Sequence, residues 1–105
     1  MKQLNDATTA FLRALSVNFV NFRMTIEEIR SRSWASVTFT GARHELTFRI
    51  GGDGAAAAAD RFLSHLEAAE FDLRGHILAD IALVSDERGD DWIRISLEAL
   101  TVEDS

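Results

Sequence analysis

The chain has 105 residues, 47% of them hydrophobic, which predicts a single domain spanning residues 1–105 with an ordinary small core. Seventeen acidic and eleven basic residues give a formal net charge of −6, which argues against nucleic acid and anionic membranes as partners. The chain contains no cysteine, so disulfides and thiolate metal sites are excluded, and the composition is typical of a cytoplasmic protein.

The first segment carries residues spaced mostly three and four apart, which predicts a helix over residues 3–20 with Asn5 or Asp6 as its N-cap. This helical stripe consists of Leu4, Thr8, Phe11, Leu15, Phe19, Phe22, Ile26 and Ile29. A strand competes after residue 19, because the run from Val17 to Ile26 is rich in β-branched and aromatic residues. We therefore predict a strand over residues 25–40 and leave the junction open. Asp6 and Arg13 interrupt the apolar residues, so no signal peptide is expected.

A hairpin is predicted from the alternation of apolar and polar residues on both sides of Gly41. One strand places Ala35, Val37 and Phe39 on a single face, and the next strand does the same with Leu46, Phe48 and Ile50. Residues 40–43 are predicted to form the turn, because Gly41 can adopt a positive φ.

Gly51, Gly52 and Gly54 end this hairpin, and a second helix is predicted from Asp53, its N-cap, to about Glu70. Residues 52–57 also match the G-x-G-x-x-A pattern of a dinucleotide-binding loop. The helix cap is favoured, because the preceding strand alternates and is therefore half-exposed, and because Asp53 would repel a phosphate.

A second hairpin is predicted from residues 75–100, with residues 86–91 as a polar connecting loop. Its apolar face would comprise Ile77, Ala79, Ile81, Leu83, Ile93, Ile95, Leu97 and Ala99. The strings Phe11–Leu15 and Phe62–Leu66 are alike, which suggests an internal duplication of a helix–strand–strand unit. Chance similarity between two amphipathic helices explains them equally well.

These elements predict an α+β fold: a two-layer sandwich with two helices on one face of a four-stranded, mostly antiparallel sheet. The predicted core residues joining the hairpins to the second helix are Phe39, Phe48, Phe62, Leu66, Ile81 and Ile95. The order helix, hairpin, helix, hairpin and the acidic charge resemble those of small dimeric secretion chaperones. That resemblance implies a dimer that binds another protein.

The sequence contains no recognised motif for a metal site or for a catalytic nucleophile. His44, His65 and His76, with Glu45, Asp72 and Asp80, offer metal ligands, but their spacing matches no known metal motif, and surface histidines are the simpler interpretation. The carboxylates within residues 86–91 lack the register of a calcium loop, and no serine lies in a G-x-S-x-G elbow. No cofactor is expected.

The sheet face opposite the helices carries the remaining functional candidates. Alternation places Arg49, Asp80, Arg94 and Glu98 there, where they form either a polar ligand site or a set of exposed ion pairs. The predicted interface residues on the same face are Trp34, Leu78, Ala82, Val84 and Trp92. An apolar patch with tryptophans is typical of a protein interface, so we expect a non-enzymatic homodimer or a site for another protein. The alternative is a small enzyme or ligand-binding domain.

Overall fold

The computed structural model describes residues 4–66, 73 and 75–103, and it has the predicted α+β architecture. The elements, in chain order, are α1 (Leu4–Ser16), a 3-10 turn (Val17–Phe19), β1 (Arg23–Ala35), β2 (Thr40–Gly51), α2 (Ala55–Ser64), β3 (His76–Arg88) and β4 (Trp92–Glu103). The strands form one antiparallel sheet in the order β1-β2-β4-β3. Both helices pack on one side, the helix face; the opposite side is the open face. No helix among the described residues is long and apolar enough to span a membrane.

The core lies between the two helices and the central strands β2 and β4. Five of the six predicted core residues are buried: Phe48, Phe62, Leu66, Ile81 and Ile95. Phe19 joins the layers, because its ring centroid lies 5.2 Å from that of Phe62 on α2 and 5.5 Å from that of Phe48 on β2. The prediction for Phe39 is wrong, since its side chain is 55% exposed.

Phe39 is exposed because the first hairpin turns earlier than predicted. β1 ends at Ala35, and residues 36–39 form the connection. The Ser36 hydroxyl accepts hydrogen bonds from the backbone N–H groups of Thr38 and Phe39, so a serine rather than a glycine organises this turn. Gly41 lies inside β2, where a Cβ would overlap the Thr101 carbonyl and crowd the Trp34 ring at 2.9 Å. The close approach of the Thr101 carbonyl and the Trp34 ring, and not the geometry of a turn, therefore explains why residue 41 is a glycine.

The second hairpin loop is shorter than predicted, because β3 continues through Arg88 and only residues 89–91 connect it to β4. The Gly89 N–H donates to the Trp92 carbonyl at 2.9 Å. The Trp92 indole lies against Gly89, where a Cβ would overlap it. Arg88, at the end of β3, reaches back to Asp60 on α2 at 2.7 Å and so links the sheet to that helix.

Three β-bulges interrupt the edge strands, and one of them reverses a predicted face. The extra residue is Glu27 in β1, and it is Ala79 and Val84 in β3. Strict alternation across Ala79 placed Leu78 on the open face and Ile77 on the helix face. Leu78 instead pairs with Thr101 and packs against the core, whereas Ile77 is 53% exposed. One inserted residue moves every preceding side chain of a strand to the other face.

The first helix is shorter than predicted, because α1 ends at Ser16 and β1 begins at Arg23. The Asn18 side-chain amide donates to the Leu15 carbonyl at 3.1 Å, and the Ser16 hydroxyl donates to the Arg13 carbonyl at 2.9 Å. These bonds satisfy carbonyls that a longer helix would have paired. The β-branched residues Val17 and Val20 are then exposed beyond the helix, as their low helix propensity favours.

The second helix begins within two residues of the predicted start, but Asp53 is not its cap. The N-cap is Gly54, whose φ is +83°, and no side chain caps the helix. The left-handed φ of Gly54, rather than a carboxylate, sets the start of α2. The predicted end near Glu70 lies outside the described residues.

Substitution of Gly54 and of Asp53 should show whether the glycine conformation or a carboxylate cap sets the start of α2. We expect Gly54→Ala to lower the free energy of unfolding by about 1–2 kcal/mol, because a Cβ is strained at this φ although it would only touch the Phe22 ring, at 3.9 Å. Asp53→Ala should change it by less than about 0.5 kcal/mol. Urea titration of both variants measures the difference, and a larger loss for Asp53→Ala would restore the carboxylate cap.

The two helix–strand–strand units are alike in detail, which supports an internal duplication. Ala7, Phe11 and Leu15 of α1 are buried, and the residues 51 positions later, Ala58, Phe62 and Leu66, are also buried. The bulges at Glu27 and Ala79 lie 52 positions apart. Equivalent residues therefore have equivalent packing, which chance similarity of two sequence strings would not require.

Candidate functional site

An ion-pair network occupies one end of the open face. Arg49 and Arg94 are direct cross-strand neighbours on β2 and β4, where like charges repel. The Glu27 carboxylate lies between the two arginines. Its Oε1 is 2.6 Å from Arg94 Nε, and its Oε2 is 3.6 Å from Arg49 Nε. The hydrogen bonds from Arg94 hold the pKa of Glu27 below its ordinary value, and Glu27 raises the pKa of Arg94. The Arg94 guanidinium also stacks 5.2 Å from the Trp92 ring centroid, a cation–π contact.

Sequence reasoning missed Glu27, because alternation gave it no special position. Only the bulge places Glu27 on the same face as its neighbour Glu28 and directs its carboxylate toward both arginines.

The four predicted ligand-binding residues share the open face but do not form one cluster. Arg49 and Arg94 adjoin each other, whereas Glu98 lies four residues along β4 from Arg94, a separation of about 13 Å. Asp80 lies still farther along the sheet, opposite Leu100. The two arginines form ion pairs with Glu27, whereas the carboxylates of Asp80 and Glu98 lie at other register positions, away from the arginines.

The centre of the open face holds a shallow depression of about 290 Å³. Charged residues at its lining are Glu28, Arg30, Glu45 and Glu98. Glu45 and Glu98 are direct cross-strand partners, so two carboxylates face solvent side by side. Val84 lies at the rim and is 58% exposed.

The predicted interface residues divide between the two sheet faces. Trp34, Ala82, Val84 and Trp92 lie on the open face by their register, with Trp34 at one end and Trp92 at the other. The prediction for Leu78 is wrong, since the bulge at Ala79 directs it into the helix face. On the open face, the residues that follow Trp34 across the sheet are Gly41, Val102 and Ile77, none of them polar, whereas Arg32 and Arg43 lie beside them.

A chain of polar side chains crosses the helix face; Thr8 and Ser31 are half-buried, whereas His44 and Thr101 are buried. Thr8 on α1 donates its hydroxyl hydrogen to Ser31 on β1 at 2.7 Å, and the Ser31 hydroxyl lies 2.7 Å from His44 Nδ1. On the other side of the ring, His44 Nε2 lies 3.0 Å from the Thr101 hydroxyl. Thr101 donates in turn to the Ala42 carbonyl. The chain ties α1 to three strands.

The donor directions in this chain specify the neutral form of His44. Because Thr101 uses its hydrogen on Ala42, its oxygen accepts from His44 Nε2–H, and Nδ1 is left to accept from Ser31. His44 has no exposed surface, and Phe11 stacks on its ring at 5.5 Å. Burial lowers the pKa of His44 to about 4, with a smaller contribution from repulsion by His76. A neutral imidazole this weakly basic is a structural group rather than a general base.

The histidines therefore differ from the prediction of surface residues. His44 and His76 are buried, whereas His65 at the end of α2 is exposed. His44 shares the parity of Leu46, Phe48 and Ile50, a signal for burial that the sequence contained. Within residues 4–66, 73 and 75–103, no three side chains of histidine, aspartate or glutamate are grouped to hold a metal ion.

No protein-family model matches the chain, and no curated protein matches its sequence.

Proposed function

We propose that the protein is a non-enzymatic cytoplasmic homodimer whose two copies pack through their open faces. The observation that carries this proposal is the charge of the open face. Six arginines and six carboxylates project from it: Arg23, Arg30, Arg32, Arg43, Arg49, Arg94, Glu27, Glu28, Glu45, Asp80, Glu87 and Glu98. This face is neutral, so the whole formal charge of −6 belongs to the rest of the chain. Two neutral faces of mixed charge can approach each other, whereas the rest of the chain carries the net negative charge and is on average repelled by a second copy.

The size of the open face supports the same proposal. Four strands about 4.8 Å apart and about 12 residues long, at roughly 3.3 Å per residue, span roughly 800 Å². A stable protein–protein interface buries about 800 Å² of each partner. No described helix covers this face, and tryptophans lie at both of its ends.

The edges of the sheet are less suited to association than its open face. β1 and β3 are both 13 residues long, and such edges attract further strands unless they are irregular. The bulge at Glu27 interrupts β1, and the bulges at Ala79 and Val84 interrupt β3. These bulges oppose continuous pairing of a second sheet and favour contact through the face.

Light scattering at micromolar concentration tests the dimer. We expect a mass of twice 11.7 kDa for the wild type and a shift toward 11.7 kDa for Val84→Arg, which places a positive charge at an apolar position beside the central depression of the face. Val17→Arg is the matched control, since Val17 is 72% exposed on the 3-10 turn, away from the open face. A monomeric wild type would contradict the proposal, and a dimer unaffected by Val84→Arg would place the interface elsewhere.

A second candidate function is binding of a small polar ligand in the central depression, which is favoured by the charged lining of that depression. Thermal-shift screening with polar metabolites tests it, because a ligand at 100 times its Kd adds about 2.7 kcal/mol to the free energy of unfolding. Stabilisation that Glu98→Gln abolishes, in a monomeric protein, would favour this function over the dimer.

A further inference from the structure

The polar chain through His44 has an apolar counterpart in the second half of the molecule. The bulges at Glu27 and Ala79 align the two units, so the pair Ser31–His44 corresponds to the pair Leu83–Leu97. On the helices, Thr8 corresponds to Ala59, 51 positions later. Ala59 and Leu97 are fully buried, whereas Leu83 at the edge of the sheet is 44% exposed. The second unit therefore buries the counterparts of Thr8 and His44 without a polar group, and the polar chain is particular to the first unit.

Protonation of His44 disturbs the chain. A hydrogen on Nδ1 would meet the hydrogen that Ser31 donates, so the Ser31 hydroxyl would have to turn and accept from both Thr8 and His44, and its own hydrogen would lose the imidazole as its acceptor. The new charge would also lie in a site with no exposed surface, against the Phe11 ring. The chain is thus fully satisfied only while His44 is neutral.

Among residues 4–66, 73 and 75–103, no acidic side chain forms a hydrogen bond or ion pair with His44 that would offset this effect. His76 on β3 is the titratable group that acts on His44, and its interaction disfavours a second positive charge. In the described part of the chain, the groups in hydrogen-bond or ring contact with His44 from α1, β1 and β4 are Phe11, Ser31 and Thr101, and all of them are neutral. Glu103 is opposite His76 in register and accepts a hydrogen bond from Thr40.

Of the elements that bury His44, α1 is the most easily displaced. β1, β2 and β4 are joined by continuous hydrogen-bonded ladders. Among the described residues, no backbone hydrogen bond links α1 to the sheet, so side-chain packing and the Thr8–Ser31 bond hold it. We propose that His44 is the trigger of a latch, and that its protonation releases α1 from the sheet while the four strands stay paired.

Amide hydrogen exchange of the full chain, followed by NMR at pH 7.5 and pH 5.0, tests the latch. With the pKa of His44 at about 4 when buried and 6.5 when released, protection of α1 should fall roughly 30-fold between these pH values after correction for intrinsic exchange. Exchange of α1 should be insensitive to low urea concentrations, as for a local opening, whereas β4 should be better protected and sensitive to urea. Protection of α1 that equals that of β4, or that does not change with pH, would overturn the proposal.

The apolar counterpart provides the matched variant. Thr8→Ala, Ser31→Leu and His44→Leu combined copy Ala59, Leu83 and Leu97 into the first unit. The triple variant should keep α1 protected to within about twofold at both pH values. A pH-dependent loss of α1 protection that persists in this variant would show that His44 is not the trigger. The wild-type measurement decides the proposal even if the variant does not fold.

Discussion

Phe62→Ala should lower the free energy of unfolding by about 3–5 kcal/mol. Phe62 is 7% exposed on α2, and its ring meets Phe19 edge to face with centroids 5.2 Å apart. Its removal leaves a cavity between α2 and the sheet that the rigid strands cannot close. Domains of this size are stable by about 5–15 kcal/mol, so the loss should be a large fraction of the total. Urea or thermal unfolding measures it.

Phe39→Ala is the control for this prediction, because it deletes the same side chain at a position that is 55% exposed. We expect a change within about 0.5 kcal/mol. A loss below about 1 kcal/mol for Phe62→Ala would place the apolar stripe of α2 outside the core. A large loss for Phe39→Ala would mean that the first hairpin turn packs against the protein.

Acid should destabilise the protein through His44 by about 3 kcal/mol. The pKa of the buried imidazole is about 4, below the 6.5 of the unfolded chain, so the unfolded state binds the proton more readily. The contribution of His44 is therefore complete above pH 6.5 and is lost as the pH falls from 6.5 to 4. Chemical unfolding at a series of pH values measures the slope.

Comparison with His44→Gln isolates this contribution, because carboxylates titrate in the same acid range in both proteins. The glutamine side chain at position 44 is neutral at every pH, so the free energy of unfolding of the variant should fall less steeply between pH 6.5 and 4 than that of the wild type. Equal slopes in the two proteins would show that His44 titrates normally, and a ring titration followed by NMR should then give a pKa near 6.5. The expected midpoint is about 4.

Local patterns were sufficient to predict the class of fold and most of its core. The alternation of Leu46, Phe48 and Ile50 and the spacing of Phe62 and Leu66 are set by the geometry of a strand and a helix, which acts over a few residues. All five side chains are buried as expected. The order of the elements and the antiparallel pairing within each hairpin follow from the same local signals and short connections.

The open face and its chemistry depended on contacts between distant parts of the chain. A bulge is specified by how two strands pair, so the reversal at Ala79 that packs Leu78 against the core and exposes Ile77 has no local sequence signal. The bulge at Glu27 likewise creates the contact with Arg94, 67 residues away. For this reason, alternation predicted the face on which Arg94 lies but did not predict that Glu27 is its partner.

The sequence by itself determined the helix–hairpin order, the apolar stripes and the charge balance, because each depends on neighbouring residues or on composition. The tertiary structure alone decided that Glu27 joins two arginines and that His44 is hydrogen-bonded in a chain reaching from Thr8 to Thr101. Burial and hydrogen bonding arise where α1, β1, β2 and β4 converge. The ionisation of His44 is therefore a property of the assembled fold, not of its neighbours in sequence.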